Sequence, residues 1–207
     1  MKMLDKFRNK VDKKLEPVAN KFGKEANRIS YASLIFALIA AISFYYSYWH
    51  HYLLFISSLS VILNGFLDAI DGKIARMSKK AGKKGDFIDH TIDRFSDALI
   101  IGGIAISPWC DKKIGVVAIA IVLLVSYMGT QAQAVGYKRV YSGVLGRADR
   151  LAILFFAPIF QYFIQRIYGY YLIEWVMVYF VIAGIATIIQ RFYLVTKWLG
   201  EREIREK

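Results

Sequence analysis

Four aspartates carry the first chemical signal in this chain: Asp68 and Asp71 stand three residues apart, Asp89 and Asp93 four apart. On a helix either spacing puts both carboxylates on one face. Two such helices side by side would therefore bring four carboxylates to one point. Like charges gathered in a low dielectric repel strongly, and a divalent cation, or two, is their natural partner. An all-oxygen donor set favours a hard ion, Mg²⁺, Mn²⁺ or Ca²⁺, over zinc. Gly72 directly follows the second aspartate and Gly85 opens the next helix, so a bulky ligand could approach the backbone there. Arg76 adds a fixed positive charge suited to a phosphate. Asp97 extends the Asp93 face, either as a support for the ligands or as a partner for Arg94, whereas Asp86 falls off that face and is expected in solvent. His90 points about 100° away from its neighbour Asp89 on a helix and is expected to pack rather than react.

The elements that must position these groups are membrane helices. A chain of 207 residues that is 57% hydrophobic and 15% aromatic, with a mean hydropathy of +0.38, holds more apolar surface than one soluble core needs. The net charge of +12 could suggest nucleic acid, but the basic residues gather beside long apolar runs, which points to anionic lipid headgroups or phosphorylated substrates and not to nucleic acid. The single Cys110 excludes an internal disulfide and a cysteine zinc site. Residues 1–28 carry nine Lys/Arg and four Asp/Glu around an apolar stripe of Leu4, Phe7, Val11, Leu15, Val18 and Phe22, the pattern of an amphipathic helix lying on the membrane. Residues 29–207 then form one all-α integral membrane domain of about six spans, expected over 29–48, from 52 through 67, and over 98–109, 114–135, 151–168 and 171–198. The third is preceded by the aspartate-rich stretch. With six spans, the basic N-terminal segment, the Lys79, Lys80, Lys83 and Lys84 loop, the 138–150 connection and the basic tail share one side. By the excess of Lys and Arg in cytoplasmic loops, both termini and the aspartates are expected to face the cytoplasm of a multi-pass cell-membrane protein.

The run Asp68-Ala-Ile-Asp71-Gly72-Lys-Ile-Ala75-Arg76, eight further residues, then Gly85-Asp-Phe-Ile-Asp89-His-Thr-Ile-Asp93 resembles the signature of the CDP-alcohol phosphotransferases, with every fixed position present. The resemblance implies a metal-dependent transfer of a phosphate-linked lipid group, diacyl or archaeal ether, from a CDP-lipid to an alcohol, with release of CMP. It implies two divalent cations, Mg²⁺ or Mn²⁺, held by Asp68, Asp71 and Asp89. Asp93 would approach the metals and act as the base. Asp68, Gly72, Ala75, Arg76, Ser78 and Gly85 would line the cytidine nucleotide site. Homodimerisation is also expected from the family, helped by Gly102 and Gly103 as exposed small residues.

For the acceptor, Arg150 and Arg191 are positioned to clamp a phosphate, with Arg147 and Lys138 nearby. A lone arginine inside an apolar helix, as Arg191 is, needs a partner or an anion. The Leu15-Glu16-Pro17-Val18 run and the Gln190-Arg191 pair resemble the inositol-phosphate branch of the family, in which a phosphorylated polyol such as myo-inositol phosphate is the acceptor. After Ser126-Tyr127, where that branch carries a Lys-x-Arg-Ala-Glu run, this chain reads Met128-Gly129-Thr130-Gln131-Ala132-Gln133. Glycerol 3-phosphate is the alternative acceptor. A metal-dependent lipid pyrophosphatase using water, or a cation transporter, are the alternatives from other classes.

Overall fold

The computed structural model describes residues 26–77 and 83–205. The amphipathic helix expected over 1–28 lies, except for its last three residues, outside the described residues, as does Ser78. The described residues form six helices: α1 (Ala26–Tyr46), α2 (Leu53–Met77), α3 (Lys83–Ile106), α4 (Lys112–Ala134), α5 (Arg147–Phe163) and α6 (Leu172–Arg205). Four of them are long and apolar enough to cross a membrane, over Arg28–Tyr46, Leu53–Ile74, Lys112–Ala134 and Leu172–Arg205. The chain is a multi-pass membrane protein. α3 falls outside that group because its first fifteen residues carry Asp86, Asp89, Asp93, Arg94 and Asp97, and α5 because it has only 17 residues and opens on Arg147 and Arg150. The aspartate-rich stretch and the third apolar run are one continuous helix.

Local chemistry sets the ends. α4 begins where the Asp111 carboxylate accepts from the backbone N–H groups of Lys113 and Ile114, at 2.8 and 3.4 Å, which satisfies donors that no helical carbonyl can reach. α5 begins at Gly146, whose N–H donates to the Asp149 carboxylate at 2.8 Å. α6 runs for 34 residues without interruption.

α1 packs on α2 and α3, α2 on α5, α3 on α4, and α4 on α6. One core joins them, built on Phe44, Leu54, Ile100, Ile104, Met177 and Phe180. α1 and α3 approach through Gly103: a Cβ there would stand 2.4 Å from the Ala41 carbonyl oxygen. Gly103 is therefore buried inside the bundle, contrary to the expectation of an exposed small residue for dimer contact, and only Gly102 remains partly open. At the end of the bundle away from the aspartates, the Trp109 indole N–H donates to the Ser47 hydroxyl at 2.8 Å. Nearer the aspartates, the Asn64 amide on α2 donates to the Ser33 carbonyl on α1 and the Ser96 hydroxyl on α3, at 2.8 and 3.2 Å. This polar tie fixes the register of three helices one turn before Asp68.

Candidate metal and phosphate site

α2 supplies Asp68 and Asp71, and α3 supplies Asp89, so that one carboxylate oxygen from each lies within 4.8 Å of the others. The fit to a cation rests on two observations. Asp71 is 3% exposed, and its Oδ1 has no hydrogen-bond partner among the described residues, an arrangement that is costly unless something positive sits there. Burial, and then the charge of Asp68, also raise the Asp89 carboxyl above its ordinary range, a strain that a bound cation relieves. The other Asp71 oxygen accepts from the Ser30 hydroxyl of α1 at 2.5 Å. Ser30 was not legible as a site residue, since it lies 41 positions away in a run that reads only as membrane span.

Asp93 lies outside that 4.8 Å group, one turn further along α3. Its Oδ1 meets Nη1 of Arg147, at the start of α5, and its Oδ2 accepts from Nη2 of Arg94 at 3.4 Å. Arg147 also reaches Asp68, with Nη2 3.5 Å from Oδ1. One guanidinium thus spans the carboxylate cluster and Asp93.

Beyond Asp93 opens a cavity of about 100 Å³ lined by Arg94, Arg139, Arg147, Arg150 and Arg191, with Asp93 on its wall. That is well above the roughly 10–15 Å³ one water requires. Of the residues expected to hold an acceptor phosphate, Arg147, Arg150 and Arg191 line this cavity and Lys138 does not; Arg94 and Arg139 line it as well. Arg150 is buried with Asp97, Nη2 to Oδ2 at 2.7 Å, and Arg94 Nε lies 4.0 Å from the same oxygen. Asp97 is therefore a partner for two arginines, Arg150 foremost. Arg191 donates to three backbone carbonyls, Val125 at 2.5 Å, Ser142 at 2.9 Å and Tyr141 at 3.3 Å. A membrane-embedded guanidinium is expected to have such partners, and here they tie the α4–α5 connection to α6. The Thr187 hydroxyl accepts from the Leu145 N–H at 2.9 Å and adds a second tie.

His90 does not simply pack. Its ring nitrogens face Arg139 and lie 3.0 Å from Asp86 and 3.6 Å from Asp89. Asp86 is exposed as expected. Gly72 and Gly85 sit beside the aspartates, Gly85 with open space where a Cβ would project. Ala75 and Arg76 follow on the last turn of α2, and their side chains are outside the described residues. Cys110 lies beyond the far end of α3, its thiol pushed up to about 12 by burial, so it supplies no thiolate nucleophile.

The profile of the CDP-alcohol phosphatidyltransferase family matches residues 25–189. Over 200 residues the chain is 30% identical to the archaetidylinositol phosphate synthase of Pyrococcus horikoshii, which covers 95% of this chain and 98% of that protein. It is 28% identical to the archaetidylinositol phosphate synthase of Methanothermobacter thermautotrophicus, over 79% of this chain and 80% of that one. The fold is shared with the crystal structure of Mycobacterium tuberculosis phosphatidylinositol phosphate synthase with CDP-DAG bound, at a TM-score of 0.71 and 20% identity over 87% of this chain and 92% of that chain. The same enzyme in complex with manganese and citrate also gives 0.71 and 20%, over 87% and 88%.

Proposed function

The chain belongs to the CDP-alcohol phosphatidyltransferase family, and from that premise we propose that it transfers a phosphatidyl-type group, in the diacyl or archaeal ether series, from a CDP-lipid to the hydroxyl of myo-inositol phosphate. The observation that carries the acceptor assignment is the cavity lined by five arginines against Asp93. A neutral alcohol has no use for that charge, whereas a phosphate has. The names of the two archaeal relatives support the same reading.

In this reading Asp68, Asp71 and Asp89 hold two divalent cations, Mg²⁺ or Mn²⁺, with Asp93 approaching them. Bound there, such cations supply neutralisation of the charge that develops on the pyrophosphate. Asp93 takes the proton of the acceptor hydroxyl as its oxygen attacks the lipid-linked phosphorus. The bond from that phosphorus to the bridging oxygen breaks, and CMP leaves with the oxygen. Arg147 sits between the two groups and holds both Asp68 and Asp93 in place. Gly72, Ala75, Arg76, Ser78, Gly85 and Asp68 line the nucleotide site. Arg150, Arg191 and Arg147 serve the acceptor phosphate; Lys138, expected with them, lies outside the cavity and is given no part in it. Six spans with both termini and the site on the cytoplasmic side, an interfacial helix over 1–28, and a homodimer complete the proposal.

The test is CMP release by the purified protein with CDP-lipid and Mg²⁺ or Mn²⁺. Myo-inositol phosphate, glycerol 3-phosphate, serine or water is supplied separately, with Asp93→Asn as control. Release with inositol phosphate alone, lost in the variant, is expected. Release with glycerol 3-phosphate instead would move the acceptor, and release with water alone would make the protein a hydrolase.

A further inference from the structure

The cavity arginines are not equivalent. Arg147 faces Asp68 and Asp93, Arg94 faces Asp93 and Asp97, and Arg150 is paired with Asp97. Arg191 has its guanidinium on three backbone carbonyls. Arg139 differs: among the described residues it makes no ion pair with a carboxylate, and meets only the His90 ring and the face of Tyr141, 5.1 Å from the centroid. A phosphate entering the cavity would meet three guanidiniums set on carboxylates, a fourth set on backbone carbonyls, and Arg139, which among the described residues bonds to neither kind of oxygen.

The path of the chain explains how Arg139 comes to be there. α4 contributes Val125, Ser126 and Gly129 to the cavity wall, none of them charged. A Cβ on Gly129 would stand 2.8 Å from the Val140 carbonyl oxygen and 3.2 Å from Arg191 Nη1. The backbone of the α4–α5 connection therefore fills the space that a side chain at 129 would take. Arg191, bonded to Val125 on α4 and to Tyr141 and Ser142 on the connection, holds the two together. Seated against α4 in this way, the connection turns Arg139 into the cavity and leaves Lys138 exposed, over the ring of Tyr137.

We propose that Arg139 is the specificity-determining contact for the acceptor phosphate in this protein, delivered by the connection because α4 carries glycine at 129. This rests on the acceptor reading given above. A charge-assisted bond made to the acceptor phosphate throughout the reaction acts on binding rather than on the chemical step, so its loss falls on KM.

Steady-state CMP release by the full-length protein tests this, with saturating CDP-lipid and Mn²⁺ and varied myo-inositol phosphate. In Arg139→Ala the acceptor KM is expected to rise about 10- to 100-fold with kcat changed less than about threefold. Arg139→Gln, which keeps a stem over the Tyr141 ring, should lose the same contact if the alanine variant folds poorly. Arg139→Lys should recover part of the loss, and Lys138→Ala and the KM for CDP-lipid should match wild type. An unchanged acceptor KM in both Arg139→Ala and Arg139→Gln overturns the proposal, as does an equal loss in Lys138→Ala or a fall confined to kcat. If wild type uses inositol phosphate and the Arg139 variants are unmoved, this proposal alone fails. If wild type releases CMP with no phosphorylated acceptor, the acceptor reading fails and this proposal with it.

Discussion

Removing one half of the Asp97–Arg150 pair should unfold the protein at a distinctly lower temperature, and removing both halves should not. The Asp97 and Arg150 side chains are 8% and 3% exposed and meet at 2.7 Å. Breaking a buried ion pair by deleting one partner costs about 3–5 kcal/mol, because the survivor keeps its desolvation penalty without its counter-charge. For a chain of this size each kcal/mol corresponds to about 2–4 °C, so Asp97→Ala and Arg150→Ala should each lower Tm by about 6–20 °C. Asp97→Ala also strips Arg94 of a neighbour 4.0 Å away and belongs at the upper end of that range. The double replacement Asp97→Leu with Arg150→Met fills the site with apolar volume and should melt within a few degrees of wild type. Scanning fluorimetry on detergent-solubilised protein reads wild type and the three variants side by side. Single variants that lose less than about 3 °C, or a double variant that loses the sum of the two, would refute the reasoning. The folded double variant has a second use. Arg150 Nε is buried with no hydrogen-bond partner among the described residues, and its loss should weaken the acceptor without disturbing CDP-lipid.

Three further outcomes follow from the site. Asp93→Asn should lower kcat by about 10²- to 10⁴-fold, as loss of a general base does, while Mn²⁺ still raises Tm; Asp71→Asn should abolish that Mn²⁺-dependent rise. Ser30→Ala removes the 2.5 Å bond that orients Asp71 and should weaken Mn²⁺ about 10-fold, measured by titrating the same thermal shift. Gly103→Leu should collapse the α1–α3 contact and lower Tm strongly, whereas Gly102→Ala, with open space at its Cβ, should stay within about 2 °C.

The aspartate quartet was legible because helical spacing alone puts each pair on one face. The structure brings Asp68, Asp71 and Asp89 together as that spacing implies. α1, α2, α4 and α6 were legible as long apolar runs. What escaped the sequence is what depends on contacts distant in the chain. Asp97 finds Arg150 across 53 positions, and Arg191 finds carbonyls 49 to 66 positions away. Lys138 and Arg139 are adjacent cations that no local rule distinguishes; the close seat of the connection at Gly129 decides which one enters the cavity. Gly103 reads as an exposed small residue until the Ala41 backbone is seen against it.

The unbroken 34-residue α6 also serves as a depth gauge. From Leu172 to Arg191 the helix rises about 29 Å at 1.5 Å per residue, close to the roughly 30 Å of a bilayer's hydrocarbon core. From Leu53 to Asp68 and Asp71 the rise along α2 is about 23 and 27 Å. Measured along the helices from their first residues, the carboxylate cluster and the arginine cavity both fall toward the far edge of a core of that thickness. Under the function proposed above, the diphosphate of a lipid donor would meet its ligands near that edge and not deep in hydrocarbon, and a water-soluble acceptor would reach the same plane from the other direction. About four turns of α6 continue past that plane, to Arg202 and Arg205 in its basic last turn.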